Sequence, residues 1–331
     1  MVEVFKFKAP QKVFQIGKMK IGGQPGENPK VVIGTIFYER HKIVEDPVEG
    51  IFDEKAAEDL INKQDSLCEE CGLSSMYDVV GISAEAFPKY LDFVADKSEN
   101  PILLDAWTLD VRLAGLQHVK EVGLSKRIVH NSIMPPAPDP KEIEAIKDAK
   151  IKASIILAFN VEDKSPAGAI SILKGTPTQK GLLDVAKEAG IEGEMIDLSF
   201  ANAVPGIGLS CKAIYAVKDE LGLAAGGAPS NATTVWKPFV KEKWGLDIYK
   251  AIEATSQAIP MAFGADWLMY GVIEAAPWII PAIAAVDAMV LSVANFEYKM
   301  PLPDRPSSLS KLFPEYIDRL KGMLPPKVEK P

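Results

Sequence analysis

Short apolar runs, rich in β-branched residues, recur along the chain, and each ends in a small or polar residue. They cover residues 31–37, 76–81, 102–108, 127–133, 154–160, 194–200, 221–231 and 264–271, the seventh being the weakest. The runs are continuous rather than alternating, as strands of a parallel sheet buried on both faces must be. Amphipathic segments with helical spacing lie between them. Eight such units, with strand starts about 33 residues apart, predict an α/β protein built as a closed (β/α)8 TIM barrel. An open doubly wound sheet is the competing arrangement, but no Gly-x-Gly-x-x-Gly follows the first run. Gly22-Gly23-Gln24-Pro25-Gly26 precedes it instead.

Helix punctuation supports the alternation. Asp139-Pro140-Lys141-Glu142 reads as an N-cap, a proline at N1 and a capping-box carboxylate at N3. Gly123 and Gly190 are expected to end helices. The division expected is an N-terminal β extension over 1–29, the barrel over 30–298 and a proline-rich tail over 299–331. In the extension, Val13-Phe14-Gln15-Ile16 and Met19-Lys20-Ile21 flank Gly17 and predict a small β element closing the barrel bottom. In the tail only 308–323 reads as a helix, and the rest is expected to wrap a neighbour or the barrel surface.

Charge and composition then narrow the class. The 331 residues carry a formal net charge of −8, so there is no basic excess to neutralise the phosphates of a nucleic acid. A soluble, cytoplasmic protein is expected. The three cysteines, Cys68, Cys71 and Cys211, do not make a disulfide framework. Cys68 and Cys71 form a CxxC within an acidic helical run, with no second CxxC and no histidine nearby, and read as ordinary thiols. The most apolar stretch, 275–296, contains Pro281 and Asp287. A mid-bilayer carboxylate costs roughly 3 kcal/mol, so a buried helix with a satisfied Asp287 is expected rather than a membrane span.

In a barrel, polar residues at the ends of apolar strands are the candidate chemistry. In order they are Glu39 and His41, Asp78, Asp105 and Thr108, Asn131, Asn160, Asp197, Ser230 and Asn231, then Asp266 and Glu274. These are carboxylates and carboxamides with hardly any cation, and no strand end offers the lysine of a Schiff-base barrel. Such a ring suits a neutral, donor-rich ligand. A pterin is one, because its ring N–H and exocyclic NH2 lie side by side and one carboxylate can accept both. Structural readings stay open beside this one. Asp78 and Asp105 can accept backbone N–H groups at loop starts, and Thr108 can cap the helix over 109–122. Asp266 can be a core hydrogen-bond partner, His41 can be structural, and His118 falls at an exposed mid-helix position. Asn231, in a Gly-Gly-Ala-Pro-Ser loop, is the leading ligand candidate, with a turn as its alternative.

The ordered motifs resemble a known family. Tyr77-Asp78-Val79-Val80-Gly81, Leu104-Asp105-Ala106-Trp107-Thr108, Ile196-Asp197-Leu198 and Pro229-Ser230-Asn231 are similar to the pterin-dependent corrinoid methyltransferases of the pterin-binding barrel superfamily. The closer resemblance is to the MtrH family of tetrahydromethanopterin S-methyltransferase, which includes soluble bacterial tetrahydrofolate enzymes. It is carried by Ile21-Gly22-Gly23-Gln24-Pro25-Gly26-Glu27, Phe37-Tyr38-Glu39-Arg40-His41-Lys42-Ile43-Val44, Asp78-Val79-Val80-Gly81 and His130-Asn131-Ser132-Ile133. The resemblance implies that Asp78 and Asp197 hold the pterin ring edge, that Asn231 meets the methyl-accepting N5, and that Asn131 lines the pocket. Asp105 matches a strand-end aspartate of the superfamily. Thr108 stands where the tetrahydrofolate enzymes carry an asparagine. Asn231 and Asp197 are thus the catalytic candidates, with Asp78, Asp105, Asn131, Asn160, Thr108 and Ser230 as substrate-binding candidates.

The implied reaction moves a methyl group between a methylcobalt(III) corrinoid, held on a separate corrinoid protein, and N5 of a tetrahydropterin. Tetrahydrofolate is the expected pterin and tetrahydromethanopterin the alternative. No metal ligand set is expected in this chain, whose three histidines are not spaced for zinc. The corrinoid partner is expected over the loops after strands 1, 4 and 6. The apolar last helix and the tail suggest a homodimer. Two rivals remain: a non-catalytic docking component of a larger methyltransferase complex, and a pteroate synthase, whose pyrophosphate leaving group calls for basic residues absent from the strand ends.

Overall fold

A computed structural model describes residues 4–136, 138–301, 306–315 and 317. Eight parallel strands close into one barrel: β1 (Val31–Ile36), β2 (Ser74–Gly81), β3 (Ile102–Ala106), β4 (Ile128–Ile133), β5 (Ala153–Leu157), β6 (Gly193–Asp197), β7 (Ala224–Gly227) and β8 (Trp267–Val272). Each apolar run supplies one strand, and β8 pairs back onto β1 to remove both sheet edges. The seventh run keeps only four residues as strand, Ala224-Ala225-Gly226-Gly227, which explains its weak signal. Without β-branched side chains its strand character comes from its neighbours.

The pleat decides where apolar filling ends and polar chemistry begins. Ile33, Met76, Leu103, Val129, Ile155 and Met195 fill the barrel interior. Two residues further along each strand, on the same face, stand Thr35, Asp78, Asp105, Asn131, Leu157 and Asp197. The polar layer therefore sits one pleat repeat above an apolar floor. Below that floor, the strands Val13–Ile16 and Met19–Gly22 form an antiparallel hairpin whose Ile16, Met19 and Ile21 join the same interior cluster. The barrel bottom is closed as its sequence suggested.

The helices are α1 (Glu54–Cys71), α2 (Ala86–Lys97), α3 (Leu109–Val122), α4 (Pro140–Asp148), α5 (Pro166–Lys174), α6 (Leu182–Glu188), α7 (Gly208–Leu221), α8 (Ser230–Trp244), α9 (Leu246–Ala262), α10 (Ala276–Tyr298) and α11 (Ser308–Leu312). Gly123 ends α3 with φ 77°, and Gly190, just past α6, has φ 80°. At α4 the expectation is corrected in part. Asp139 caps the helix by accepting from Lys141 N, but Glu142 makes no capping box; it is buried and pairs with Arg112 and His130. His118 is also corrected, since it is partly buried and bridges α3 to Asp92 on α2 at 2.7 Å.

The segment Ile273–Tyr298 is long and apolar enough to cross a bilayer, yet it packs against α9, α1 and α11. Its Asp287 is buried and accepts from Ser308 Oγ at 2.6 Å, as a satisfied core group should. The tail helix is interrupted rather than continuous: α11 ends at Leu312, residues 314, 315 and 317 are helical again after Phe313, and residues 316 and 318–323 of the expected helix lie outside the described residues. Cys68, Cys71 and Cys211 are buried free thiols, and burial pushes all three away from the thiolate form.

Candidate active site

The polar layer gathers Thr35, Asp78, Asp105 and Asn131 on four consecutive strands. Thr35 is the lateral partner of Asp78, and Asp105 that of Asn131. Thr35 Oγ1 donates to Asp78 Oδ2 at 2.8 Å, while Asp78 Oδ1 is buried with no hydrogen-bond partner. Burial, then the neighbouring Asp105 charge, pushes the Asp78 carboxyl well above the usual carboxylate range, against hydrogen bonding from Thr35 and Asn131. Asp105 is pushed up to about 6 by burial, against the opposing Arg112 charge and Asn131. Two carboxyls facing one carboxamide in a water-poor floor resist holding two charges at once.

Across the mouth, Asp197 ends β6 and accepts from Ser199 N at 2.8 Å. Burial raises its carboxyl to about 6. A side chain at Gly227, the last residue of β7, would meet Asp197 Oδ1 at 2.7 Å and Phe200, so glycine there keeps the space beside the carboxyl open. Asn231 stands in the first turn of α8, exposed at the mouth, with its backbone N–H on Ala228 O at 3.0 Å. The loop after β1 meets the turn after β8. Tyr38 donates to Glu274 Oε1 at 3.0 Å, and buried His41 stacks on Tyr38 with its Nε2 3.2 Å from the same oxygen. His41 Nδ1 accepts from Phe37 N at 3.1 Å, so this histidine organises its own loop.

Behind the layer lies a chain that sequence reasoning missed. Arg112 on α3 donates to Glu142 through Nε at 2.6 Å and Nη2 at 3.2 Å. Its Nη1 donates to the carbonyls of Ala106 and Trp107 at 2.9 and 3.2 Å. Glu142 Oε1 also meets His130 Nε2 at 2.9 Å, and His130 Nδ1 lies 3.0 Å from Ser154 Oγ. His130 precedes Asn131 on β4 and so takes the opposite face of the strand. Alternation alone marks Thr35 and His130; the partnership of Arg112 and Glu142 crosses 30 residues and leaves no local signal.

Other candidates lie elsewhere or are otherwise engaged. Asp266 precedes β8 and therefore belongs to the barrel bottom, where it pairs with Lys30 at 3.0 Å and Lys218 at 2.7 Å. Thr108 begins α3 without a side-chain cap bond and hydrogen-bonds Asp110 instead. Asn160 Oδ1 accepts from Glu162 N and Asp163 N at 3.0 and 3.1 Å, shaping its own turn. Ser230 Oγ donates to Met269 O at 3.3 Å. Glu39 is exposed beside Arg40. A cavity of about 320 Å³ opens beside the mouth, lined by Asn160, Lys164, Ser199 and Asn202 among others, and includes neither Asp78 nor Asn231. Among the described residues no group of three or more His, Cys, Asp or Glu is placed to hold a metal ion.

Over residues 9–300 the chain matches the family described as tetrahydromethanopterin S-methyltransferase MtrH subunit. It is 41% identical over 294 residues to the MtrH subunit of the tetrahydromethanopterin S-methyltransferase of Methanopyrus kandleri, covering 85% of this chain and 91% of that one. With the MtrH subunit of Methanosarcina mazei the identity is 38% over 299 residues, 88% of this chain and 94% of the other. The 7,8-dihydropteroate synthase of Vibrio fischeri superposes with a TM-score of 0.52 over 84% of this chain and 98% of its own, at 12% identity, which is a likeness of fold alone.

Proposed function

The chain belongs to the MtrH family of tetrahydromethanopterin S-methyltransferase, and from that premise we propose that it moves a methyl group between a methylcorrinoid on a partner protein and N5 of a tetrahydropterin. The observation that carries this reading is the buried, unpartnered Asp78 Oδ1 in a layer of acceptors. A pterin ring edge presents N–H donors side by side, and Asp78, Asp105 and the Asn131 carboxamide oxygen would receive them with Asp197 opposite. Asn231, at the mouth, would meet N5.

In the forward direction the N5 lone pair attacks the methyl carbon. The N–C bond forms as the carbon–cobalt bond breaks, both electrons of that bond leave with cobalt, which goes from Co(III) to Co(I), and the N5 proton is released to solvent. Asn231 suits this step because a carboxamide can hydrogen-bond N5 without protonating the lone pair the attack needs. The reverse direction needs the opposite polarity at N5, and an amide offers both in one plane. The rest of the protein's contribution is orientation and removal of water.

The names of the relatives favour tetrahydromethanopterin as the pterin, and tetrahydrofolate is the alternative drawn from sequence; the two share the pterin head that the floor would grip. The decisive experiment mixes the protein anaerobically with methylcob(III)alamin, free or protein-bound, and each pterin in turn. Cobalt(I) absorbance with methylated pterin supports the reading, and the larger kcat/KM assigns the acceptor. Neither product with either pterin overturns it. The partner set further includes a second copy of the chain: Met289, Val293 and Phe296, at i, i+4 and i+7 of α10, are exposed apolar side chains suited to a homodimer face, which sedimentation velocity would test.

A further inference from the structure

Glu142 is nearly fully buried and is the hub of the chain behind the carboxyl layer. Burial pushes its carboxyl up, but hydrogen bonds from His130 and Arg112 outweigh this and hold it below the usual range. It is therefore an ionised acceptor, so His130 Nε2 carries the proton of their 2.9 Å contact. A buried ion pair of this kind is weak evidence for stability, because well-packed apolar groups often serve as well. What the guanidinium touches is more informative. It grips the carbonyls of Ala106 and Trp107, the two residues after Asp105, and its charge acts on the Asp105 carboxyl.

We propose that Arg112 is a positioning residue for the methyl-transfer site: by gripping the carbonyls of Ala106 and Trp107 it fixes the backbone beyond Asp105 and places a cation behind that acceptor for the pterin ring edge. Glu142 and His130 set how much of the arginine's charge Asp105 feels. The inference rests on reading the mouth as a pterin site. The groups that face Asp105 are few. Asp78 on β2 opposes its ionisation, Asn131 on β4 is neutral, and Arg112 on α3 supplies the favourable charge, with Glu142 and His130 behind it. Asp110, in the first turn of α3, is bonded to Thr108, and Asp197 stands across the barrel.

Two readouts test this. One is pterin affinity against pH, by quenching of tryptophan fluorescence; the other is the Asp105 titration in the ligand-free protein, by carboxyl 13C NMR. Arg112→Met removes the favourable charge and is expected to move the acid limb up by about one pH unit, within the range a neighbouring charge produces. Arg112→Lys should restore most of the wild-type position. Glu142→Gln leaves the arginine less compensated and should move the limb the other way. A purely structural role would lower thermal stability in all three and leave the limb in place. That result, or shifts of one sign in Arg112→Met and Glu142→Gln, overturns the proposal. Should Arg112→Met fail to fold, the downward shift in Glu142→Gln decides alone. If no pterin binds, the ligand-free titration still reports on Arg112, so the two readings fail separately.

Discussion

Thr35 on β1 donates to one oxygen of Asp78 on β2 at 2.8 Å and leaves the other oxygen buried and bare. This asymmetry orients the carboxyl and reserves one acceptor for a ligand. Thr35→Val keeps the volume and removes the donor. A hydrogen bond to a carboxyl held mostly neutral is worth roughly 0.5–1.5 kcal/mol, so pterin affinity should fall about two- to tenfold, and Thr35→Ser should recover most of it. Titration calorimetry with a tetrahydropterin checks both variants. Unchanged affinity in Thr35→Val would mean that Asp78 does not touch the ligand.

Replacing Asn231 by Ala should separate chemistry from assembly. Asn231 is exposed on the first turn of α8, so little packing is lost. Loss of one hydrogen bond that acts in the transition state costs about a hundredfold in kcat. The expected pattern is that loss in methyl transfer with free and protein-bound methylcorrinoid alike, while binding of the corrinoid protein, followed by gel filtration, persists. Equal losses of binding and turnover would favour the docking-component reading.

Barrel and polar layer were legible because both follow from period-two patterning. Ile33 to Thr35, Met76 to Asp78 and Met195 to Asp197 each step from floor to mouth on one face. Asp266 was misplaced for a related reason: a run begun at residue 264 hides the fact that the strand starts at Trp267, so an aspartate at its foot was counted with the mouth. Glu142 deceived differently. A carboxylate at N3 satisfies the capping pattern whatever its side chain does, and its real partners, Arg112 and His130, lie on other elements. Asn160 and Thr108 follow the C-terminal ends of β5 and β3, but local backbone and side-chain bonds engage their polar groups.

The raised carboxyl of Asp197 makes a prediction about stability against pH. Its value is about 6 in the fold against an ordinary 3.8. A carboxyl raised in the fold contributes most below its unfolded value, and that contribution is lost as pH rises through the folded one. The two-unit gap corresponds to at most about 3 kcal/mol at neutral pH. Asp197→Asn keeps an acceptor for Ser199 N and removes the charge. It should raise Tm at pH 8, show little difference near pH 4, and abolish tight pterin binding. A variant less stable than the parent at pH 8 would contradict the burial argument.

At the other end of the barrel Lys218 and Lys30 enclose Asp266, and the charge balance there predicts a cost without a catalytic effect. Burial works against the Asp266 carboxylate, but the two lysines outweigh it and hold its carboxyl below the usual range. Lys218 is fully buried, donates to Asp266 Oδ2 at 2.7 Å and to Gly23 O at 2.8 Å, and so ties β8 to the segment beneath the barrel. Lys218→Met keeps the stem and deletes the charge. Breaking a buried pair costs roughly 3–5 kcal/mol, and Lys30, still 3.0 Å from Oδ1, should hold the loss to the lower end. Urea unfolding measures that loss. Pterin affinity of the folded fraction should be unchanged, because the polar layer lies across the apolar floor formed by Met76, Leu103 and Met195. A variant of normal stability, or one that stays folded and loses pterin binding, would show that the two ends of the barrel are not independent.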